Sequence, residues 1–406
     1  MAGPLEGMRV IDWTVWQQGP VAGAMLGDLG AEVIKIEEKN GGDFGRAMYA
    51  INGISTADQP NAYFEVNNRN KKSVAINLKT RRGREIVQQL IAGADIFIHN
   101  YRPGVPEKLG LDYETLKALN TKLIYASASA FGAFGPDAGA RAYDTLGSAR
   151  SGISMANACA GSDAPKGPPG AVADQMGAIM LAYGVLAAVV ARYRHGVGQK
   201  VDTSLLGSMM WLQGLQFAMQ LIMGFNMNNR AKPKDVVNPL FKEYRCADGK
   251  WLSLAMLQSD KFWAEFVEVM ETPELLDAER YGNDHVTRLR NGNAIFSVLE
   301  QAFAGKTRAD WLARLAARYD FPVCAVNSIE DAVNDPQVEP NQYVIPFEHP
   351  ERGPIRMPGF PVLLSETPAS VRMRAPELGE HTEEVLISAL GMNWDDFAPL
   401  RAQGVI

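Results

Sequence analysis

Cysteine and histidine are scarce in this chain, and their scarcity excludes several kinds of chemistry. The three cysteines, an odd number, are Cys159, Cys246 and Cys324, and they lie far apart in mainly apolar stretches. This pattern predicts free thiols in a reducing compartment and no disulfide framework. None lies in a nucleophile signature, and no G-x-S-x-G motif is present, so serine or cysteine acyl transfer is not expected. The five histidines are dispersed without a metal-ligand spacing, so no metal site is predicted.

A strong excess of either charge is also missing. The 46 acidic and 40 basic side chains give a formal net charge of −6 and are scattered without blocks. No broad cationic face of the kind that binds nucleic acid is therefore expected, and a phosphate ligand would meet a local pocket. Residues 1–7 lack the basic flank and apolar core of an export signal, so a cytoplasmic location is predicted.

Apolar runs long enough to span a bilayer are absent by our count. Residues 176–191 are sixteen uncharged residues, fewer than the roughly 20 that a membrane-spanning helix needs. Residues 205–225 are interrupted by glycine and glutamine. Both runs are predicted to be buried helices of a folded protein, and no membrane partner is expected.

The length and the order of apolar segments predict an α/β protein with two domains. At 406 residues, 47% of them apolar, the chain exceeds one ordinary core. Apolar strand patterns separated by helices predict a doubly wound parallel sheet with ligands beyond its carboxyl edge. The predicted strands are 8–13, 32–37, 72–77, 94–98 and 123–128, and the predicted helices are 20–29 and 81–92. A hairpin is predicted within 241–255.

The first strand-to-helix loop does not support a dinucleotide site. Residues 17–23 contain no G-x-G-x-x-G, and Gly19 with Pro20 is explained by a tight turn entering a helix. Nicotinamide chemistry is therefore not predicted.

Asp174 is the remaining chemical candidate. It follows Gly170 and stands at the mouth of the apolar run 176–191. A carboxylate at this place either caps the free amide groups of a helix or acts as a nucleophile shielded from water. The residues by themselves leave both interpretations open.

Four separated motifs resemble the class III CoA-transferase family, which includes formyl-CoA and carnitine CoA-transferases and is related to 2-methylacyl-CoA racemases. They occur in the family's order over nearly the whole chain. They are Asp12 through Glu37, His99 through Gly104, Gly170 to Asp174 with Gly198 through Leu206, and Leu378 through Thr382.

The resemblance implies a CoA-transferase in which Asp174 is the nucleophile and Gln17 lies beside it. Asp174 would form an aspartyl-acyl anhydride and then an aspartyl-CoA thioester while CoA moves from an acyl-CoA donor to an organic acid. No prosthetic group or metal is implied, because coenzyme A enters as part of the substrate. An interlocked homodimer is implied as well.

The resemblance also implies the domain bounds and the CoA contacts. The large domain would comprise residues 1–225 and 331–406, with a smaller α+β domain at 226–330. Substrate selectivity is expected around Trp16, Gln18, Met256, Leu257 and Gln258. Positions that match CoA-binding residues of the family are Trp16, Ile76, Lys79, Asn100, Tyr101, Arg102, Lys108 and Arg141.

Two alternatives to the transferase stay open. The related racemases use a histidine immediately before the aspartate that matches Asp144, and here that position is Tyr143. An unactivated tyrosine, with a pKa of about 10, is a poor base at neutral pH. The second alternative is a non-catalytic protein that only binds acyl-CoA.

Overall fold

The computed structural model describes residues 2–48, 50–51, 54–55, 61–158, 162–225, 236–318 and 320–406. The chain divides into two compact units, and both chain ends lie in the first. Unit 1 is Met1–Ala158, Asp163–Asn228 and Glu339–Ile406, and unit 2 is Cys159–Ser162 and Asn229–Val338. Cys159 and the predicted domain boundary at residue 226 lie outside the described residues. Cys246 and Cys324 are free thiols.

A six-stranded sheet in the order β5-β2-β1-β6-β7-β8 is the centre of unit 1, and each neighbouring pair is parallel. The predicted parallel sheet is thereby confirmed, although the edge strand β8 was not predicted. The strands up to this edge, including the small hairpin β3-β4, are β1 (Arg9–Trp13), β2 (Glu32–Glu37), β3 (Ala50–Ile51), β4 (Ile54–Ser55), β5 (Lys71–Ala75), β6 (Ile96–His99), β7 (Ile124–Ser129) and β8 (Gln199–Ser204).

Helices cover both faces of this sheet. The helices of this part of the chain are α1 (Gln18–Asp28), α2 (Ala62–Asn68), α3 (Arg81–Ala92), α4 (Val105–Leu109), α5 (Tyr113–Leu119), α6 (Asp144–Arg150), α7 (Ile153–Ala156), α8 (Val172–His195), α9 (Leu205–Leu212) and α10 (Gly214–Met223). A 3-10 turn at Phe44–Ala47 follows β2. Helices α1 and α8 pack with Val10 and Val33 in one core, while α3 and α5 pack with Ile11 and Ile34 in the other. Consecutive apolar residues in the strands suit this burial on both sides.

Helix α8 differs from its sequence-based prediction. It has 24 residues, because it extends beyond the sixteen uncharged residues of the apolar run at both ends, and by length and composition alone it could cross a membrane. In this fold one face of α8, with Ala178, Leu181 and Val185, packs against the sheet. The second predicted helix is divided into α9 and α10 at Gln213, and the prediction that it is buried is wrong for α10, in which no residue is buried.

Unit 2 has a three-stranded sheet in the order β11-β10-β9 and its own core around Tyr244, Phe266 and Phe303. The predicted hairpin is confirmed as β9 paired antiparallel with β10. Met256 is fully buried in this core, whereas Leu257 is exposed. The elements are β9 (Glu243–Arg245), β10 (Trp251–Leu254), α11 (Trp263–Met270), a 3-10 turn (Pro273–Leu276), α12 (Ala278–Tyr281), α13 (His285–Arg290), α14 (Gly292–Phe303), α15 (Arg308–Arg318), β11 (Val323–Val326) and α16 (Ile329–Ala332).

The end of the chain returns to unit 1. It forms the hairpin of β12 (Val344–His349) and β13 (Gly353–Pro358) and then α17 (Thr382–Leu390) and α18 (Trp394–Ala402). Val385 of α17 and Leu400 of α18 join the same core as α3. The core on one face of the large sheet is therefore completed by helices from the end of the chain.

The sheet order creates a switch point beside β1. From β1 the chain goes to β2 on one side, and it later reaches β6 on the other side. Loops after neighbouring strands that lead in opposite directions leave a crevice at the carboxyl edge, which is the usual ligand position in such sheets. Residues 14–17 follow β1 and residues 100–102 follow β6, so both segments lie at this crevice.

Candidate active site

Asp174 lies in the first turn of α8, as predicted, but it does not cap this helix. Gly170 and Ala171 have φ angles of 78° and 52°, so a tight left-handed turn precedes the helix. The carboxylate of Asp174 is half-buried and accepts no hydrogen bond from any described residue. The capping interpretation therefore does not account for this side chain.

Asp144 performs the capping instead. Its Oδ1 accepts the backbone N–H groups of Ala173 at 2.7 Å and of Asp174 at 3.0 Å. Sequence analysis gave Asp144 no role, because the residue that it caps lies 30 positions later and only the fold brings the two together. The cap secures the helix start and leaves the carboxylate of Asp174 free.

Two causes change the acidity of Asp174. Burial, and then the negative charge of Asp144, raise the pKa of Asp174 to about 7. A carboxylate poorly stabilised by its surroundings is a stronger nucleophile than one held in hydrogen bonds or an ion pair. Perturbed groups of this kind concentrate at functional sites.

The loop after β1 is held by Asn100 and by a buried acid. The side chain of Asn100 accepts the N–H of Val15 at 2.9 Å and donates to its carbonyl at 2.7 Å. Trp16 has a φ of 68°, an uncommon conformation for a bulky residue, and its N–H donates to Oδ1 of Asp43 at 2.9 Å. Hydrogen bonds therefore fix the loop before Gln17 at both Val15 and Trp16.

A buried ion pair supports this loop from below. Nζ of Lys35 lies 2.8 Å from Oδ2 of Asp43 and 2.9 Å from the carbonyl oxygen of Thr14, and both charged side chains are fully buried. We did not predict this pair. Lys35 in the middle of the apolar strand β2 was the available signal, because a buried lysine needs an acidic partner.

Gln17 and Gln18 begin α1 beside α8. Both are buried, and their side-chain amides form no hydrogen bond with the described residues. Nε2 of Gln18 is fully shielded from water and lies against α8, since a Cβ at Gly177 would be 2.7 Å from it. Gly177 is one turn beyond Asp174 on the same helix. The start of α1 therefore brings one unused amide donor, that of Gln18, to the first turns of α8.

Tyr63 of α2 is a further candidate that sequence analysis missed. Burial, followed by the charges of Asp174 and Asp43, raises the pKa of its phenol, so the hydroxyl stays protonated at neutral pH. Its ring lies against Gly45 in the 3-10 turn after β2. The hydroxyl has no hydrogen-bond partner among the described residues and is available as a donor.

The residues assigned to CoA by resemblance occupy different environments. Ile76 is buried in the core and its N–H donates to the carbonyl oxygen of Glu37, and the side chain of Asn100 is already engaged by Val15. Tyr101 stacks on Trp13 with ring centroids 4.1 Å apart. The exposed basic residues are Lys79, which follows β5, Arg102 and Lys108, which follow β6, and Arg141, which precedes α6. These assignments stay predictions.

Comparisons with known proteins show what this chain is similar to. The profile of CoA-transferase family III matches residues 5–382. The chain is 33% identical over 404 residues to succinyl-CoA:glutarate CoA-transferase of Mus musculus, covering 99% of this chain and 90% of that protein. It is 31% identical to the succinyl-CoA–L-malate CoA-transferase β subunit of Chloroflexus aurantiacus, covering 99% and 98%. A CAIB/BAIF family protein from Brucella suis has a similar crystal structure, with a TM-score of 0.83, 29% identity and coverage of 96% and 100%.

Proposed function

We propose that this chain, which belongs to CoA-transferase family III, moves coenzyme A between an acyl-CoA thioester and a free carboxylic acid through covalent intermediates on Asp174. The main support for the proposal is the environment of this carboxylate. It is half-buried, accepts no hydrogen bond from the described residues and has a raised pKa, at a helix start that another acid already caps. These are properties of a group available for reaction and not of a structural cap.

The exchange proceeds in four acyl transfers. The Asp174 carboxylate attacks the donor thioester carbonyl, the C–S bond breaks, and an aspartyl-acyl anhydride and CoA thiolate result. The thiolate attacks the aspartyl carbonyl, which releases the donor acid and leaves an aspartyl-CoA thioester. The acceptor carboxylate then displaces the thiolate to form a new anhydride. Attack of the thiolate on the new acyl carbonyl gives the product thioester and restores the Asp174 carboxylate.

Neighbouring residues hold the reacting groups in this proposal. The amide of Gln17 donates to the oxyanion that forms at each attacked carbonyl, since donors aimed at developing charge lower the barrier. The protonated phenol of Tyr63 can do the same. Asp144 keeps the start of α8 in place. The exposed cations Lys79, Arg102, Lys108 and Arg141 would bind the phosphates of CoA.

Trapping tests this function directly. After mixing with an acyl-CoA, hydroxylamine or borohydride should modify Asp174, and peptide mass spectrometry should locate the change there. A racemase would instead exchange the α proton of a 2-methylacyl-CoA with deuterated water while CoA stays on its original acid. At the position of the racemase histidine this chain has Tyr143, which is 62% exposed and whose ring lies edge-on to Trp16. The histidine that a racemase would use as a base is therefore missing. A protein that only binds acyl-CoA would show neither result.

The rate should depend on pH through Asp174, which must be ionised to attack. Because its pKa is raised to about 7, kcat/KM should fall as the pH drops through about 7 and level off above it. Asp144→Asn keeps an oxygen that can cap α8 but removes a negative charge, so the pKa of Asp174 should decrease. The acid limb of the kcat/KM profile should then move to lower pH. The exposed Asp163→Asn should leave the limb unchanged, and a limb that does not move in Asp144→Asn would contradict this electrostatic coupling.

We further propose a homodimer in which the chains interlock. Large apolar side chains remain exposed on one side of α8 and on α9 and α10, among them Tyr193, Trp211, Leu221 and Ile222. Large apolar side chains exposed together on neighbouring helices are typical of a protein interface, and a second copy would cover them. Sedimentation equilibrium should give twice the mass of the chain.

A cytoplasmic location also stays a proposal, which cell fractionation would test.

A further inference from the structure

Three aromatic rings form a continuous surface beside the candidate nucleophile. The indole of Trp16 stacks on Phe44 with centroids 5.5 Å apart and an interplanar angle of 20°. Tyr143 meets the same indole edge-on at 5.9 Å and 86°. Phe44 is 60% exposed and Tyr143 is 62% exposed. We call these three side chains the aromatic wall.

The wall is next to Asp174 through a short chain of contacts. Tyr143 directly precedes Asp144, whose carboxylate accepts the N–H of Asp174 itself at 3.0 Å. On the other side, Trp16 directly precedes Gln17 at the start of α1, and α1 packs along α8. The aromatic wall and the reacting carboxylate therefore belong to the same part of unit 1.

The position of Trp16 is imposed by its surroundings. Its left-handed backbone is strained for a tryptophan, and such strain persists only where neighbouring contacts hold it. Here Asp43 accepts its N–H while Asn100 binds both backbone groups of Val15. Asp43 is in turn held by Lys35. These contacts fix the position of the indole in the absence of a bound substrate.

Three cations close to this loop are already paired, and Arg102, which follows β6 at the same crevice, is exposed and is assigned to CoA by the resemblance. Lys35 and Lys71 are fully buried against Asp43 and Asp12. Arg46, in the same 3-10 turn as Phe44, pairs with Glu37 and covers the ring of Phe64. Arg141 is exposed two residues before Tyr143, where the resemblance assigns it to CoA. A second carboxylate on the substrate would therefore have to compete with CoA for Arg102 or Arg141, whereas an apolar group would find a ready surface.

We propose that the acid exchanged at Asp174 carries an aromatic or branched apolar body that packs on the aromatic wall of Trp16, Phe44 and Tyr143. This inference rests on the proposed transferase function and adds the substrate class. Aromatic rings contribute a large apolar area and favour stacked or edge-on partners, both of which the wall offers. The reacting carboxyl group of the same acid would then face Asp174 and the amide of Gln17.

Identity exchange tests the substrate class without a choice of second substrate. Each acyl-CoA is mixed with the isotopically labelled form of its own acid, and the label entering the thioester is followed by mass spectrometry. The pairs are 3-phenylpropanoate, succinate and acetate with their CoA thioesters. The aromatic pair should exchange at least about tenfold faster in kcat/KM than the succinate pair, which is the effect expected of one buried apolar group.

Variants of the wall give the second readout. Phe44→Ala should lower kcat/KM for the aromatic pair by about 10-fold to 100-fold, while acetate exchange changes by less than about threefold. Phe44→Tyr, which keeps the aromatic ring, should retain most of the aromatic exchange. Phe44 is exposed, so its replacement does not disturb the core. Trp394→Ala, which removes an exposed tryptophan from α18, should change neither rate.

The outcomes separate this inference from the function beneath it. Faster exchange of succinate, no exchange of the aromatic pair, or equal losses for every acid in Phe44→Ala would overturn the aromatic substrate class. Label exchange with succinate that still requires Asp174 would leave the transferase function standing. Absence of label exchange in every pair, together with no trapping on Asp174, would remove both.

Discussion

Replacing Asp174 with alanine is expected to reduce CoA exchange to background, a loss of about 10⁴-fold or more, because no intermediate can form without the nucleophile. Asp174→Asn should lose as much, since an uncharged amide of nearly the same shape does not attack a thioester at neutral pH. Hydroxylamine or borohydride should then label neither variant at this position. The measurement is a steady-state exchange assay combined with peptide mass spectrometry.

Unfolding experiments distinguish a lost nucleophile from a lost fold. The pKa of Asp174 is about 7 in the folded protein and about 3.9 in an unfolded chain. A carboxyl with a raised folded pKa destabilises the fold when ionised, fully above pH about 7 and not at all below pH about 4. Asp174→Asn should therefore be at least as stable as the parent protein at pH 8. Unchanged turnover in a folded Asp174→Asn would disprove the mechanism.

Removing Asp43 should have the largest effect on stability. Asp43→Ala leaves the fully buried ammonium group of Lys35 without its partner and takes the acceptor from the N–H groups of Trp16 and Gly45. Loss of one member of a buried ion pair costs about 3–5 kcal/mol. The free energy of unfolding, measured in urea, should fall by this amount. The rate of exchange should fall too, because the loop that carries Trp16 and Gln17 loses its support.

Two further variants make the Asp43 experiment specific. Asp43→Asn keeps an oxygen that can accept the two N–H groups and should lose less stability than Asp43→Ala. Glu366→Ala removes an exposed carboxylate, and its free energy of unfolding should stay within about 0.5 kcal/mol of the parent. If Asp43→Ala resembled Glu366→Ala, the buried pair with Lys35 would have no structural importance.

The predicted elements match the structure where the local pattern of apolar residues corresponds to the side chains that the fold buries. Strand 32–37 and helix 81–92 were predicted with the bounds of β2 and α3, because apolar periodicity and Thr80 at the helix cap mark them locally. Strand β8 was missed, since Gln199 to Ser204 alternates polar residues and pairs along only one edge, with β7. The length of α8 was underestimated because its charged ends are helical as well.

The candidate site was predicted only in outline. Asp174 and Gln17 were identified through resemblance, and the structure places their elements, α8 and the start of α1, in contact. Asp43 and Tyr63 were not singled out, because an acid in a turn or a tyrosine in a short helix carries no local signal of the charges that it will meet. Their roles depend on residues distant in sequence.

The sequence by itself determined the parallel α/β architecture, the family and the identity of one candidate carboxylate. Repeated apolar strands with helices between them permit few other arrangements, and a family motif marks a residue whatever its surroundings. Only the tertiary structure decided that Asp144 caps α8, that Asp174 is thereby left free with a raised pKa, and that Lys35 and Asp43 hold the loop of Trp16. Acidity and hydrogen bonding depend on burial and on distances through space, and the folded chain sets both.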